Sequence, residues 1–91
     1  MKYLSICIPR VERNLNRDFV YSVIKRMKIG SIQKIIEKPL RNECNYKRII
    51  IKILIDPLNV HCAYIMDRFS KGENVKLVYE NAHYWKMVRS H

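Results

Sequence analysis

Apolar and polar residues alternate along residues 3–9, where Leu4, Ile6 and Ile8 lie on one side of the backbone. A period of two is typical of a half-buried strand. Three further apolar segments, each bounded by turn residues, predict strands at 31–38, 47–56 and 75–79. The most hydrophobic stretch of the chain, KRIIIKILI, begins the third of these four predicted strands.

Apolar residues at helical spacing predict two helices between the strands. The first spans about 16–28, with Asn16 as its N-cap and Gly30 as its stop. The second follows another candidate N-cap, Asn59, and ends before Gly72. The predicted order is therefore strand, helix, strand, strand, helix, strand.

This order predicts an α+β fold of the ferredoxin-like β-α-β-β-α-β type, a four-stranded antiparallel sheet with two helices on one face. Residues 1–80 form the predicted domain, and 81–91 form a C-terminal tail. The opposite face of the sheet, called the open face below, is then free of helices. The pleat of the third strand sends Ile49, Ile51, Ile53 and Ile55 to the helices and sends Arg48, Ile50, Lys52 and Leu54 to the open face.

The composition indicates one small, intracellular domain. The chain has 91 residues, 48% of them hydrophobic, and no apolar run approaches the ~20 residues that cross a bilayer. Its three cysteines, Cys7, Cys44 and Cys62, have wide spacings that argue against a disulfide framework and for a reducing compartment. No spacing of zinc ligands is present, so the sequence predicts no metal and no cofactor.

The formal charge of +10 at pH 7 predicts a polyanionic partner. Such an excess of Lys and Arg attracts nucleic acid, an anionic membrane surface or an acidic protein. Charge alone does not choose among these three classes.

The predicted fold resembles the RNA recognition motif (RRM) over nearly the whole chain up to Glu80. In that family, a hexamer on the first strand and an octamer on the third carry aromatic side chains on which bases stack. The corresponding segments here are 6–11 and 48–55, and Arg48 keeps the leading basic residue of the octamer. However, Cys7, Ile50 and Lys52 replace the stacking aromatics. The resemblance implies RNA binding, but without stacking at these positions.

Three short segments also resemble small RRM-like proteins encoded by large DNA viruses: SICIPRV at 5–11, GENVKLVY at 72–79 and YWK at 84–86. This resemblance implies a virus-encoded accessory protein in the host cytoplasm or the viral factory, or one associated with the virion. It implies no catalytic residues.

An enzyme is the less favoured interpretation. The plan also resembles acylphosphatase, in which a loop after the first strand holds phosphate and an asparagine places water. Arg10 or Arg13 and Asn14 or Asn16 stand in that loop, which lacks glycine. The acidic residues are scattered among basic ones, so no pair for general acid and base catalysis is indicated. We therefore expect a non-catalytic protein.

The sequence predicts two kinds of contact on the open face and its loops. Phosphate contacts are expected from Arg10, Arg13, Lys38, Arg41, Lys47, Arg48, Lys52 and Lys76. An apolar interface is expected from Cys7, Ile50, Leu54, Val78, Tyr84 and Trp85. Soluble monomers rarely expose such a patch, so the tail, a second copy or a partner protein is expected to cover it. The alternative is that the charges are ordinary solvated ones that discourage aggregation.

Overall fold

The computed structural model describes residues 2–56, 58–80 and 83–90. It contains two helices and five strands, in the order β1 (Lys2–Glu12), α1 (Arg17–Lys25), β2 (Gly30–Pro39), β3 (Tyr46–Ile55), α2 (Val60–Ser70), β4 (Val75–Glu80) and β5 (His83–Arg89). The strands form a single antiparallel sheet in the order β2-β3-β1-β5-β4.

The α+β class and the two helices are confirmed, but the number and order of the strands differ from the prediction. A ferredoxin-like sheet would place the strand after the second helix beside β1. Here β5 occupies that position, with Cys7 opposite Val88, and β4 lies outside it as an edge strand. The hairpin of β4 and β5 gives the sheet its fifth strand.

The predicted tail is therefore part of the sheet over residues 83–89 and does not cover the open face. Its strand pairs with β4 along its length and with β1 near its end. Trp85 and Met87 point to the helix side, where they are 1% and 0% exposed. Burial of these side chains explains why the segment joins the sheet. Residues 81, 82 and 91 of the predicted tail lie outside the described ranges.

The division of β3 between two faces is confirmed. Its four alternate isoleucines, 49, 51, 53 and 55, are at most 4% exposed. β3 also forms an antiparallel hairpin with β2, in which Ile35 pairs with Ile51 and Ile36 with Ile50. Residues of both helices and of the inward strand positions form one buried cluster. The open face thus lies on the other side of a continuous core.

Both predicted N-caps are present. The Asn16 side chain accepts a hydrogen bond from the Phe19 N–H at 2.8 Å, and Asn59 accepts one from Cys62 at 3.0 Å. These bonds satisfy amides that have no partner within the helix. Asn59 also donates to the Lys28 carbonyl at 2.8 Å, which ties the start of α2 to the segment that follows α1.

The role predicted for Gly30 is wrong. α1 ends at Lys25, and Lys28, with φ of 54°, adopts the left-handed conformation before β2 begins. Gly30 is the first residue of β2, and a Cβ there would lie 2.3 Å from the Leu54 carbonyl oxygen. Close approach of two strands, and not the end of a helix, requires glycine at this position.

The helices are short. None of those in the described ranges is long and apolar enough to cross a membrane.

Candidate nucleic-acid interface

A row of apolar side chains crosses the middle of the open face. Register aligns Ile36 of β2 with Ile50 of β3, Ile50 with Cys7 of β1, and Cys7 with Val88 of β5. All four side chains are half-buried. The row thus presents a continuous apolar strip across four strands, of which the sequence predicted only Cys7 and Ile50.

Exposed cations lie on both sides of this apolar row. On one side Lys34 pairs with Lys52, and on the other Lys38 pairs with Arg48. Lys76 and Lys86 form a further pair on β4 and β5, on the same face. The sequences of β3 and β5 contain no acidic residue. These six side chains, called the basic rows below, are Lys34, Lys38, Arg48, Lys52, Lys76 and Lys86.

The open face also carries tyrosines, at positions other than Cys7, Ile50 and Lys52. Tyr3 of β1 is 63% exposed and Tyr84 of β5 is 49% exposed. Tyr46, at the start of β3, lies on the same face and is half-buried. Tyr46 and Tyr3 are not among the predicted site residues. Tyr46 lies just before the strand predicted at 47–56, and the alternation of β1 puts Tyr3 on the side of Cys7.

Each of these tyrosine rings has a cation above it. The Lys52 ammonium lies 5.3 Å from the Tyr3 ring centroid. The Lys76 ammonium lies 5.0 Å from that of Tyr84. Distances below about 6 Å are those of cation–π contacts. Flat aromatic surfaces and positive charges thus alternate on the open face.

Two predicted site residues are not on the open face. The Lys47 ammonium donates a hydrogen bond to the Leu15 carbonyl and forms an ion pair with Glu37 at 2.7 Å, on the helix side of the sheet. Its side chain is only 12% exposed. Trp85 is buried, as described above. On β3 and β5 the even-numbered residues face the open side, and the odd-numbered residues, including Lys47 and Trp85, face the helices. This alternation is the sequence signal that puts Arg48 on the open face and Lys47 on the opposite one.

The remaining predicted residues lie at the ends and edges of the face. Leu54 is half-buried opposite Tyr3, whereas Val78 is 60% exposed on the edge strand β4. Arg13 donates to the Cys44 carbonyl at 3.2 Å, and Arg41 is exposed in the loop between β2 and β3.

Arg10 joins this loop to the open face. Its guanidinium forms an ion pair with Glu43 at 2.9 Å and lies 4.3 Å from the Tyr46 ring centroid. It is exposed. The contact with Glu43 offsets part of the charge of Arg10. By contrast, none of the ion pairs among the described residues involves a side chain of the basic rows.

A polar cluster on the helix side fixes β5 against β1. The two carboxylate oxygens of Glu12 accept hydrogen bonds from the Tyr79 hydroxyl at 3.0 Å and from the Trp85 indole N–H at 3.2 Å. The Tyr79 and Trp85 rings stack with centroids 4.4 Å apart, and Phe19 of α1 meets Trp85 edge-on. Because sequence distance separates Glu12 from its partners, no local pattern could have indicated this cluster.

The surroundings of Glu12 and Tyr79 shift the pKa values of both side chains. Burial acts to raise the pKa of Glu12. This effect is outweighed by hydrogen bonds from its own backbone, from Trp85 and from Tyr79, and by the charge of His83. The pKa of Glu12 is therefore held below its ordinary value. Burial, followed by the hydrogen bond to Glu12, raises the pKa of Tyr79 to about 12. Glu12 is therefore ionised and Tyr79 neutral at pH 7.

Cys7 and Cys62 are not activated nucleophiles. Burial raises the pKa of the Cys7 thiol, and the charge of Arg48 offsets only part of the rise. Burial likewise raises the pKa of Cys62. Thiols with raised pKa values are poor nucleophiles at pH 7. Within the described residues, no three His, Cys, Asp or Glu side chains are grouped in a way that could hold a metal ion.

Comparison of the chain with protein-family models, with curated proteins and with solved structures found no match.

Proposed function

We propose that this protein is a non-catalytic module that binds RNA or another single-stranded nucleic acid through the open face of its sheet. The observation that carries the proposal is the apolar row of Ile36, Ile50, Cys7 and Val88 with cations on either side. Single-stranded nucleic acid has the matching chemistry, because apolar base faces and anionic phosphates alternate along it.

The spacing of the rows suits such a ligand. Lys52 and Arg48 are four residues apart on one strand, so the two rows that flank the apolar row are separated by about 13 Å. Bases that lie over the apolar row would therefore have phosphates within reach of long lysine and arginine side chains. Tyr3 and Tyr84 add surfaces on which bases stack, and each stack is worth roughly 1 to 3 kcal/mol.

The contacts available on this face predict little sequence specificity. Phosphate contacts and stacking use features that every nucleotide has, and phosphate contacts alone carry no sequence information. We expect affinity to follow strand length and salt concentration more than base composition.

The test is a titration of fluorescently labelled 12-nucleotide single strands, RNA and DNA, at low salt and at 150 mM salt. Wild-type protein should bind both and should lose affinity steeply as salt rises. The double substitution Lys34→Gln with Lys52→Gln, which removes two cations of the basic rows, should weaken binding on the order of tenfold.

The matched control is Lys25→Gln with Lys71→Gln, which removes the same charge from α1 and from the end of α2. This variant should bind within about twofold of wild type, since long-range attraction is screened beyond a Debye length. Equal losses in the two variants would contradict a defined interface, and no binding of wild type at low salt would refute the proposed function.

The second candidate is a protein interaction module, in which the apolar row and Tyr84 contact a partner or a second copy. The exposure of Val78, 60%, next to Tyr84 on the outer hairpin favours it. Sedimentation velocity separates the candidates: a dimer that is insensitive to salt and does not bind oligonucleotides would favour this function. The viral source and the cellular location implied by the sequence resemblance stay predictions.

A further inference from the structure

A niche opens on the open face beside an irregularity in β1. The register of β1 with β3 shifts between Ile8 and Val11, so the backbone of β1 bulges at Pro9 and Arg10. At the bulge there is a recess over β1, with the start of β3 on one side and β5 on the other. The recess is lined by Pro9, Arg10, Glu12, Tyr46, Tyr84 and Lys86, among others.

We propose that this niche holds one unpaired nucleobase, with the adjoining phosphate bound by Arg10 and Lys86. The proposal rests on the proposed function and deepens it, because it makes the unpaired base, and not only the phosphate backbone, the feature that is recognised.

The two walls of the niche have surfaces suited to a base. On one side Arg10 lies over the Tyr46 ring, with 4.3 Å between the guanidinium carbon and the ring centroid. On the other side stands Tyr84, which is half exposed and has Lys76 over its ring. Nucleobases stack on aromatic rings and on guanidinium planes, so both walls offer stacking surfaces.

The charges in the niche suit a nucleotide as well. Glu12 is anionic, but its two oxygens already accept hydrogen bonds from Tyr79 and Trp85 on the helix side. The cations Arg10 and Lys86 are exposed. Two exposed cations therefore meet the phosphate, although Arg10 also forms an ion pair with Glu43. The carboxylate of Glu12 is already engaged by Tyr79 and Trp85.

The niche also predicts a preference for single strands. A base in a duplex is paired and stacked between its neighbours, and its extraction costs a few kcal/mol. A single strand can place a base in the niche without that cost. Duplexes should then bind through phosphate contacts only.

The test compares three single substitutions on single strands, duplexes and an abasic strand of equal length. Tyr84→Ala removes one wall and should weaken binding of the base-containing single strand by about tenfold. Tyr84→Phe keeps the ring and should bind within about twofold of wild type. Tyr21→Ala is the matched control, since Tyr21 is 42% exposed on α1 and also has a lysine, Lys25, near its ring.

The abasic strand separates the niche from an indirect effect on Lys76. It carries the same phosphates without bases, so Tyr84→Ala and wild type should bind it equally. An equal loss on the abasic strand or on the duplex would overturn the niche, as would a Tyr84→Ala variant that binds like Tyr21→Ala. In those cases wild-type binding would still uphold the proposed function, whereas a wild type that binds no strand would overturn both. Circular dichroism confirms that each variant is folded.

Discussion

At the scale of single residues, Glu12 makes the contacts with the clearest energetic consequence. It accepts hydrogen bonds from Tyr79 and Trp85. We predict that Glu12→Gln lowers the free energy of unfolding by about 1 to 3 kcal/mol, because the amide has one acceptor oxygen and leaves one donor without a partner. Urea unfolding followed by the fluorescence of Trp85 measures the change. Glu73→Gln, which removes a carboxylate from an exposed ion pair with Arg68, is the control and should cost less than about 0.5 kcal/mol.

The same residue gives a pH dependence with a defined sign. The pKa of Glu12 is lower in the folded state than its ordinary value of 4.5. Its stabilising contribution is therefore complete above about pH 4.5 and is lost as pH falls through the folded-state pKa. The difference in unfolding free energy between wild type and Glu12→Gln should shrink across that acidic range. A difference that stays constant down to pH 2 would contradict the ionised, hydrogen-bonded state of Glu12.

The outward and inward positions of β3 show how much of the residue scale was predictable. The period of two correctly assigned the isoleucines to the core and Arg48, Ile50, Lys52 and Leu54 to the open face. The same period places Lys47 on the helix side, where Glu37 pairs with it. The prediction that Lys47 contacts phosphate treats it as part of the loop between the second and third strands, but the residue lies within β3, where its side chain faces the helices.

At the scale of elements, β5 differs most from the prediction, since residues 83–89 form a strand of the sheet where a tail was expected. In HYWKMVR, Trp85 and Met87 alternate with Tyr84, Lys86 and Val88, and the structure puts the two sets on opposite faces. The alternation was short and mixed with polar aromatic residues, so it did not stand out. Its place between β1 and β4 depends on pairing between distant segments, which a local pattern does not encode.

A pair of substitutions in β5 tests whether the strand is integral to the core. Met87→Ala should lower the free energy of unfolding by about 2 to 5 kcal/mol, because Met87 is fully buried and its truncation leaves a cavity. Val88→Ala on the same strand lies on the open face and should cost less than about 1.5 kcal/mol. Equal, small effects in chemical denaturation would indicate a segment that lies on a complete domain, as a covering tail would.

At the scale of the whole molecule, the candidate site was only partly visible in the sequence. Charge and the alternation of β3 located its centre, since Arg48 and Lys52 lie on the open face as expected. The pairing register of the strands identifies further site residues that the spacing of residues along the sequence does not indicate. Lys34, Ile36 and Val88 join the site because the pairing of β2 and β5 brings them into line with β3 and β1. The site is thus a property of the assembled sheet.

The basic rows predict how strongly binding depends on salt concentration. Six exposed cations, Lys34, Lys38, Arg48, Lys52, Lys76 and Lys86, are available to phosphates on this face. Each phosphate contact on a single strand contributes about −0.7 to the slope of log affinity against log salt, so full use of the six predicts a slope near −4. Lys34→Gln with Lys52→Gln should make the slope less steep by about 1.4, and Lys25→Gln with Lys71→Gln should leave it unchanged. A wild-type slope close to zero would mean that the apolar row, and not the basic rows, provides the binding energy.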